Sequence, residues 1–277
     1  EAVFGLGESA NPRINKRGTI EDIWVSHNPV YCDVPIPYYI SSKGYGLYLN
    51  SSHHSLFDMG CLDSESIIIS NFDRVLDFFF ILKKEAKDIV KSYIRITGDC
   101  NLPPKWVFGL WQAGAKVHRS AKDCKEVIED YKKYEIPLDC VCLDPNWQKD
   151  FNDLQWNTED FPNPEQFLKY TKENNVDVVL WTAPFVNQSC ENYESDLNNH
   201  MFFTNENGNH YPVSWWKGYL SGMLDYTNPK TVDSWGKRLE SLIKSGISGF
   251  KIDGGDNSEF PWDLYNYKHV SGSELHN

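Results

Sequence analysis

Hydrophobic and polar positions alternate in short runs over residues 1 to about 97, a pattern typical of β-strands. Pro35–Ile40, Ser41–Gly44 and Tyr45–Leu49 follow one another as a strand, a turn and a second strand. Phe4–Glu8 is predicted to be a strand broken by glycine, and the apolar run Phe78–Leu82 is predicted to be a buried strand. Because turn signals separate these short strands, we expect an antiparallel β-sandwich in this region.

From about residue 106 the pattern changes, and apolar strands alternate with amphipathic helices. Ala121–Tyr134 and Pro164–Asn174 carry apolar residues at helical spacing. Strands are predicted at Val107–Gln112, Leu138–Leu143 and Val176–Leu180, and a fourth carries Asp253. Strand, helix and strand in this order are typical of a parallel sheet. The predicted fold class is α/β, with about four β/α units that form the first half of an eight-stranded TIM barrel.

The segment Asn101-Leu-Pro-Pro-Lys-Trp106 separates the two patterns, because its prolines continue neither a helix nor a strand ladder. We therefore predict the C-terminal part of an N-terminal β-sandwich at residues 1–97, a linker at 98–105 and the truncated N-terminal half of a barrel at 106–277. The chain begins without Met and stops abruptly, so we expect a fragment of a longer protein.

Three predicted strands end in residues that could carry chemistry. Asp144, Trp181 and Asp253 each lie at the C-terminal end of a different strand. In a parallel barrel these ends meet at one mouth, where catalytic groups are found. Two glycines follow Asp253 and permit backbone angles that other residues resist. A carboxylate in an apolar strand is costly to bury unless it is paired or used, so Asp253 is a candidate catalytic group.

These three residues also have purely structural interpretations, which the pattern alone leaves open. Asp253 and Asp144 could each cap the turn that follows its strand. Trp181 could be an ordinary core residue.

The long connection between Ala183 and Gly222 contributes two more aromatic candidates. Trp215 and Trp216 lie in it, and they either form a wall of the pocket or pack on the connection itself. We take Trp216 as a candidate substrate-binding residue. Asp225 follows, in Leu-Asp-Tyr-Thr-Asn-Pro, and is expected to cap the next helix rather than to act in catalysis.

The segment Lys251-Ile-Asp-Gly-Gly-Asp256 resembles the nucleophile segment of glycoside hydrolase family 31, which is often written K-T-D-F-G-E or W-x-D-M-N-E. Other segments resemble that family in the same order, over most of the chain. They are Gly-Leu-Gly-Glu at 5–8, Leu-Pro-Pro-Lys-Trp at 102–106, Leu-Asp-Pro-Asn-Trp at 143–147 and Val-Val-Leu-Trp at 178–181. The resemblance implies that Asp253 is the nucleophile, Asp144 binds sugar hydroxyls and Trp181 lines the glycone pocket.

The same resemblance assigns the residues beside the nucleophile. Lys251 matches a lysine found in one branch of the family, where it would keep Asp253 ionised or bind a hydroxyl. Asp256 aligns with the glutamate of K-T-D-F-G-E and is expected to support the loop. The acid/base aspartate of the family is expected on a later strand, beyond Asn277.

The implied activity is retaining hydrolysis of the O-glycosyl bonds of α-linked sugars. Asp253 would attack the anomeric carbon to form a glycosyl-enzyme ester, and a second carboxyl about 5 Å away would protonate the leaving oxygen. The sequence departs from the maltase-like branch after Asp253 and after Gln112, where it reads Gly-Gly-Asp and Ala-Gly-Ala. It resembles more closely the branches that act on α-xylosides or α-galactosides.

Composition limits the partners. The net charge of −12 argues against nucleic acid, because phosphate binding needs a basic surface. No apolar run in the sequence approaches the ~20 residues of a membrane span. Aromatic residues make up 14% of the chain, and aromatic ring faces suit a carbohydrate substrate.

The cysteines and two sequence triplets bear on compartment. The 7 cysteines are odd in number and include no C-x-x-C pair, which favours a reducing, cytoplasmic compartment, while a secreted protein stays open because we take the N-terminus to be missing. Cys140 and Cys142 share one face of a strand and are expected to be core thiols. Asn50-Ser-Ser52 and Asn187-Gln-Ser189 fit the glycosylation triplet, which often arises by chance.

Two other classes of function remain. A catalytically silent carbohydrate-binding protein of the same fold is one, because no acid/base residue is recognised in this chain. A metal-dependent β/α-barrel hydrolase is the other, and it would need histidine ligands at strand ends. None of the 8 histidines falls at a predicted strand end, so we expect neither a metal nor another cofactor.

Overall fold

The computed structural model describes residues 1–9, 11–25, 32–114, 117, 119–255 and 260–277, apart from the side chain of Asp33. The described chain divides into two compact units. The first is made mainly of Glu1–Asn101 together with Val270–Asn277, and the second mainly of Leu102–Gly255 together with Leu264–His269.

Along the chain, the structure contains fourteen strands and six α-helices within the described residues. They are β1 (Val3–Ser9), β2 (Ile20–Ile23), β3 (Cys32–Ser41), β4 (Tyr45–Leu49), β5 (Ser55–Asp58), β6 (Ile68–Asn71), β7 (Phe78–Leu82), α1 (Ala86–Thr97), β8 (Trp111–Ala113), α2 (Ala121–Lys133), β9 (Cys140–Leu143), α3 (Pro164–Glu173), β10 (Asp177–Thr182), β11 (Phe185–Val186), α4 (Tyr193–Asn198), β12 (Pro212–Trp215), β13 (Gly218–Met223), α5 (Pro229–Lys244), β14 (Gly249–Ile252) and α6 (Gly272–Leu275). Short 3-10 turns span Lys105–Phe108 and Pro145–Trp147.

Two antiparallel sheets form the first unit, in the orders β1-β3-β4-β7 and β2-β5-β6. The predicted strand, turn and strand around Ser41–Gly44 is confirmed as the β3–β4 hairpin, in which Ser41 pairs with Tyr45. Apolar residues from both sheets pack on one another, as in a sandwich. They are Val3, Leu6, Ile23, Tyr39, Leu49, Phe57 and Met59.

The prediction that Phe78–Leu82 is a buried strand is wrong as to burial. This run forms β7, and among the strands that the structure describes it pairs only with β4, at the edge of its sheet. Ile81 is buried, but the side chain of Phe80 is 53% exposed. A continuous apolar run predicts a strand covered on both faces, whereas the described residues cover only one face of β7.

The second unit contains a parallel sheet in the order β14-β10-β9-β8. The predicted first strand, Val107–Gln112, is partly wrong, because the chain makes a 3-10 turn to Phe108 and the strand begins only at Trp111. Asp139 fixes the backbone just before this strand, since its Oδ2 accepts a hydrogen bond of 3.0 Å from the backbone N–H of Leu110. Gly109 must lack a side chain, because a Cβ there would lie 2.1 Å from Cγ of Asp139.

The helices begin where their capping residues are. Ser120 and Asn163 cap α2 and α3 with their side-chain oxygens. Asn228 caps α5 by accepting a hydrogen bond from the N–H of Lys230, so the expected cap at Asp225 is wrong. The Oδ1 of Asp225 instead accepts from the hydroxyl and the N–H of Thr227, within the turn before α5.

Side chains alternate between the two faces of the parallel strands, and each face packs against a different set of residues. Val141, Leu143, Val178 and Leu180 join the large cluster that includes residues of α2, α3 and α5. Cys140 and Cys142 point to the other face, where they pack with Val179 and Trp106, which confirms the prediction that both are core thiols. The first face therefore builds the core and the second forms the barrel interior.

The connection between β10 and α5 is more structured than the sequence indicated. It contains helix α4 and a small antiparallel sheet in the order β11-β13-β12. At the edge of the parallel sheet, Ile252 in β14 is 74% exposed. Within the described ranges every helix falls short of the length and apolar character that crossing a membrane requires.

Candidate active site

The strand register brings the three predicted strand ends together. Leu180 pairs with Leu143 on one side of β10, and Trp181 pairs with Lys251 on the other. Asp144 therefore lies one residue beyond the end of β9, and Asp253 lies one residue beyond the end of β14. The backbone N–H of Asp253 continues the ladder by donating to the carbonyl of Thr182 at 2.9 Å. Parallel strands in register put these side chains at one edge of the sheet.

Asp253 is held by a tryptophan indole. The Nε1–H of Trp181 donates a hydrogen bond of 2.8 Å to Oδ2 of Asp253, and the N–H of Gly254 lies 3.1 Å from Oδ1. Trp181 itself is buried, and its backbone carbonyl accepts a hydrogen bond of 2.9 Å from Nε1 of Trp147. The Asp253 side chain nevertheless remains 40% exposed, so the carboxylate is fixed in orientation and still accessible.

Lys251 lies between the two carboxylates. Its Nζ donates a hydrogen bond of 3.1 Å to Oδ1 of Asp144 and lies 3.9 Å from Oδ2 of Asp253. Burial alone lowers the pKa of Lys251, but the hydrogen bond and charge of Asp144, together with the charge of Asp253, outweigh it and raise the pKa above its usual value. Lys251 therefore stays an ammonium group at neutral pH.

Asp144 does not use its side chain to cap a turn. It precedes the 3-10 turn Pro145–Trp147, and its backbone carbonyl accepts from the N–H of Trp147. Its side chain makes no capping hydrogen bond and points to Lys251 instead. Below it in β9, burial and the nearby charge of Asp144 raise the pKa of the Cys142 thiol to about 11, so this thiol stays protonated at neutral pH.

A cavity of about 270 Å³ opens at these strand ends. It is lined by Asp144, Pro145, Asn146, Trp181, Trp216, Lys217 and Asp253. Asp144, Trp181, Trp216 and Asp253 are the lining residues that the sequence predicts, and it places Lys251 beside them. It does not single out Pro145, Asn146 or Lys217, although the first two lie inside the quoted motif at 143–147 and Lys217 follows Trp216. A wider groove of about 920 Å³ runs along α2 near Ser120 and Pro162, but it contains no strand end.

Trp216 forms the aromatic wall of the cavity and lies directly against the loop after β14. Trp216 is 49% exposed, whereas its neighbour Trp215 is buried. Gly254 has a φ of +75°, and a Cβ on it would lie 2.9 Å from Cη2 of Trp216. A glycine at 254 thus serves two purposes, because it permits the left-handed backbone and leaves room for the tryptophan.

Some predicted residues fall elsewhere. Asp256, expected to support the loop, lies outside the described residues. Asp225 is buried in the second unit, where its Oδ2 accepts a hydrogen bond from the N–H of Tyr267, and it does not line the cavity. Across the described ranges, no three His, Cys, Asp or Glu side chains come together as a metal site would require.

Residues 100–277 match the family model described as the TIM-barrel domain of glycosyl hydrolases family 31. Among curated relatives, the α-xylosidase XylQ of Lactiplantibacillus pentosus is 30% identical over 262 residues, which cover 92% of this chain and 34% of the relative. An isomaltosyltransferase of Sporosarcina globispora is 27% identical over 300 residues, which cover 92% of this chain and 27% of that protein. The chain thus spans about a third or less of the length of these relatives.

Solved structures show the same fold. A family 31 dextranase of Flavobacterium johnsoniae complexed with glucose matches 99% of this chain and 35% of its own, with a TM-score of 0.92 and 23% identity. The cycloalternan-forming enzyme of Listeria monocytogenes, in complex with a pentasaccharide substrate, matches 100% of this chain and 30% of its own, with a TM-score of 0.86 and 26% identity. The predicted fold class, part of a TIM barrel preceded by antiparallel sheets, is confirmed.

Proposed function

The chain belongs to glycosyl hydrolase family 31, and from that premise we propose that the full-length protein is a retaining α-glycosidase with Asp253 as its nucleophile. The observation that carries the proposal is the position of Asp253. It follows a parallel strand, opens onto a cavity and accepts a hydrogen bond from Trp181. Nucleophilic carboxylates of retaining glycosidases need this combination of fixed orientation and access to the anomeric carbon.

The two hydrogen bonds to Asp253 leave it able to react. A carboxylate offers about four lone-pair positions, and the indole of Trp181 and the N–H of Gly254 occupy one on each oxygen. The ammonium group of Lys251 lies 3.9 Å from Oδ2 and places a positive charge beside the carboxylate. Asp253 would form an ester with the anomeric carbon, and the leaving sugar oxygen would take a proton from a second carboxyl.

Asp144 and Lys251 form the polar side of the proposed sugar site. The Asp144 carboxylate can accept hydrogen bonds from two adjacent sugar hydroxyls, and Lys251 offsets its charge at 3.1 Å. Because Asp144 is already paired with an ammonium group, it suits hydroxyl binding better than proton donation. The resemblance to the family implies a proton donor on a later strand, beyond Asn277, and we propose that arrangement.

Trp216 forms the apolar side. Its exposed indole can pack on the C–H face of a sugar ring, while the carboxylates bind the hydroxyls at the ring edge. The cavity of about 270 Å³ places Trp216, Asp144 and Asp253 around one space, where one sugar ring can contact all three. The substrate proposed is thus the terminal glycosyl unit of an α-linked sugar.

Covalent labelling tests the proposal directly. The full-length protein would be incubated with 5-fluoro-α-glycosyl fluorides of glucose, xylose and galactose, then digested for peptide mass spectrometry. We expect a glycosyl adduct on Asp253, with loss of activity at the same rate as labelling. A matched sample of Asp253→Asn should remain unlabelled.

The outcome also separates the proposal from its alternatives. A label on a different carboxylate would overturn the assignment of Asp253. Binding of α-glycosides without any label or turnover would instead identify a carbohydrate-binding protein of the same fold. Release of longer oligosaccharides from an α-glucoside, in place of free sugar, would show that a sugar hydroxyl rather than water resolves the intermediate.

A further inference from the structure

The β12–β13 hairpin carries the wall of the cavity. Trp215 pairs with Gly218 across the hairpin, and the two residues between them are Trp216 and Lys217. Both of these line the cavity that holds Asp253. The turn is therefore the element whose position decides where the aromatic wall lies.

One asparagine side chain ties this turn to the neighbouring strand. Asn187, directly after β11, donates from Nδ2 to the carbonyl of Lys217 at 3.1 Å. Its Oδ1 accepts from Nε1 of Trp215 at 3.0 Å and from the hydroxyl of Ser221 at 2.8 Å. Asn187, Trp215 and Ser221 are all buried, so these bonds form out of contact with bulk water. A buried amide whose bonds all go to one hairpin fixes that hairpin strongly.

The packing around Asn187 leaves no room for a side chain at Gly218, the residue that follows the turn. A Cβ on Gly218 would lie 2.1 Å from Oδ1 of Asn187 and 2.7 Å from Nε1 of Trp215. Gly218 is thus required by space, because the amide fills the position that a side chain would occupy. The triplet Asn187-Gln-Ser189 fits a glycosylation signal, but its asparagine is buried and bonded within the unit, which disfavours glycan attachment there.

Trp215 contacts both aromatic residues at the cavity, Trp181 and Trp216, and so connects them to Asn187. Its ring is nearly parallel to that of Trp181, with centroids 6.1 Å apart and an interplanar angle of 12°. It meets Trp216 edge to face, at 5.2 Å and 71°. Trp181 donates to Asp253, and Trp216 lies over Gly254. The orientation of the Trp215 indole, which Asn187 sets through Nε1 together with the Ser221 hydroxyl that it bonds, therefore supports the position of both.

We infer that Asn187 is a positioning residue of the proposed glycosidase site. By binding the Trp215 indole and the Lys217 carbonyl, it holds Trp216 over Gly254 and backs the indole of Trp181 that orients Asp253. This inference rests on the proposed function, because it assigns Asn187 a part in that reaction. Asn187 does not line the cavity and acts only through Trp181 and Trp216, which do.

The test compares two buried asparagines in the full-length protein. Asn187→Ala is paired with Asn228→Ala, which removes an equally buried asparagine that caps α5 and bonds the carbonyl of His200. Both variants should lower the thermal midpoint. Only Asn187→Ala should raise KM for an aryl α-glycoside, by about 10-fold or more, with a smaller fall in kcat, since the binding wall loosens more than the nucleophile.

Spectroscopy gives a readout that does not depend on turnover. The parallel pair Trp181 and Trp215 should contribute a strong near-ultraviolet circular dichroism signal, which Asn187→Ala should weaken and Asn228→Ala should keep. Ser221→Ala is the milder variant in case Asn187→Ala folds poorly. It removes one hydrogen bond to Asn187 and one of 3.0 Å from Nε1 of Trp215, but leaves the bonds of Asn187 to Trp215 and Lys217, and it should raise KM by about 2- to 5-fold.

The results separate failure of the inference from failure of the proposed function. If Asn187→Ala and Ser221→Ala lose only thermal stability, as Asn228→Ala does, with KM and the tryptophan signal unchanged, Asn187 is merely structural and the inference is wrong. If the wild-type protein hydrolyses no α-glycoside, the proposed function fails, and the tryptophan signal alone then decides whether Asn187 fixes the aromatic wall.

Discussion

The two faces of the parallel strands differ in what they carry. On the face that packs with the helices, Val141, Leu143, Val178 and Leu180 are all apolar and all buried. On the barrel-interior face, Cys140, Cys142 and Val179 are apolar at first, but the same face turns polar towards the C-terminal ends of the strands. The first face is thus apolar and buried along its whole length. The second changes from apolar to charged residues within two or three positions.

This difference has a physical origin. Apolar residues on the helix-facing side gain free energy in proportion to the area that they remove from water. Charged residues can lie on the interior side only where they pair with one another, as Lys251 does with Asp144, or remain partly exposed, as Asp253 does. Substitutions on the two faces should therefore separate cleanly into losses of stability and losses of activity.

The largest effect is expected at the interior end of β14. Asp253→Asn should lower kcat by at least about 10³-fold, or about 4 kcal/mol, because an amide cannot form the ester intermediate. The thermal midpoint should stay within a few degrees of the wild type. Hydrolysis of an aryl α-glycoside by the full-length protein is the measurement, and activity near the wild-type level would remove Asp253 from the mechanism.

The next largest effect, a loss of stability, is expected on the helix-facing side. Leu168 of α3 is buried in the large cluster, and Leu168→Ala should lower the free energy of unfolding by about 2–5 kcal/mol. Urea denaturation measures the loss, and kcat per folded molecule should remain near that of the wild type. A large fall in kcat of the folded protein would show that the two faces are not energetically separate.

A smaller effect is expected at Asp144. Asp144→Asn removes the charged acceptor for sugar hydroxyls and the partner of Lys251, so inhibition by a neutral sugar lactam should weaken by about 1.5–3 kcal/mol. Inhibition constants across glucose-, xylose- and galactose-shaped inhibitors provide the measurement. Asp153→Asn, in the same unit but not lining the cavity, is the control. Equal constants for wild type and Asp144→Asn would leave Asp144 outside the sugar site.

The smallest effect is a dependence of stability on alkaline pH. The pKa of Lys251 is raised above its usual value of 10.5, so the folded state holds this proton more tightly than the unfolded state does. Its contribution is complete below the unfolded pKa and is lost as pH rises through the folded pKa. Because Lys251 is partly exposed, we expect less than about 1 kcal/mol.

Arginine at 251 provides the comparison for this pH effect. Lys251→Arg keeps its charge at every pH in the range, so its thermal midpoint should fall less than that of the wild type between about pH 10 and 12. Parallel melting curves for the two proteins would contradict the assigned pKa shift. Activity should be followed in the same samples, since a planar guanidinium need not reach both carboxylates as an ammonium group does.

Much of the polar site could be predicted from the sequence, because its signals are local. Asp144 comes directly after an apolar run and Asp253 after a strand with alternating apolar positions, and parallel strands bring such strand ends to one edge whatever the rest of the chain does. The capping positions of α2 and α3 are local for the same reason, since a serine or asparagine bonds an N–H two or three residues ahead. The roles of these site residues stay predictions.

Other features depend on contacts between distant residues. Lys251 bonds Asp144 across 107 positions, and the sequence pattern marks no such pair. Trp215 and Trp216 are adjacent and identical, yet only the hairpin decides that the first is buried against Trp181 and the second faces the cavity.

What the sequence determined by itself is the alternation of strands and helices in the barrel part outside the long connection, the face that each side chain shares with its neighbours and the strand ends that carry carboxylates. The tertiary structure decided which face is covered. It left one face of β7 exposed despite its unbroken apolar run, and it buried Asn187 against the β12–β13 hairpin where the sequence showed only a glycosylation triplet. The alternation of side chains and the capping of helices depend on residues a few positions apart. Burial depends instead on which distant part of the chain packs against a residue.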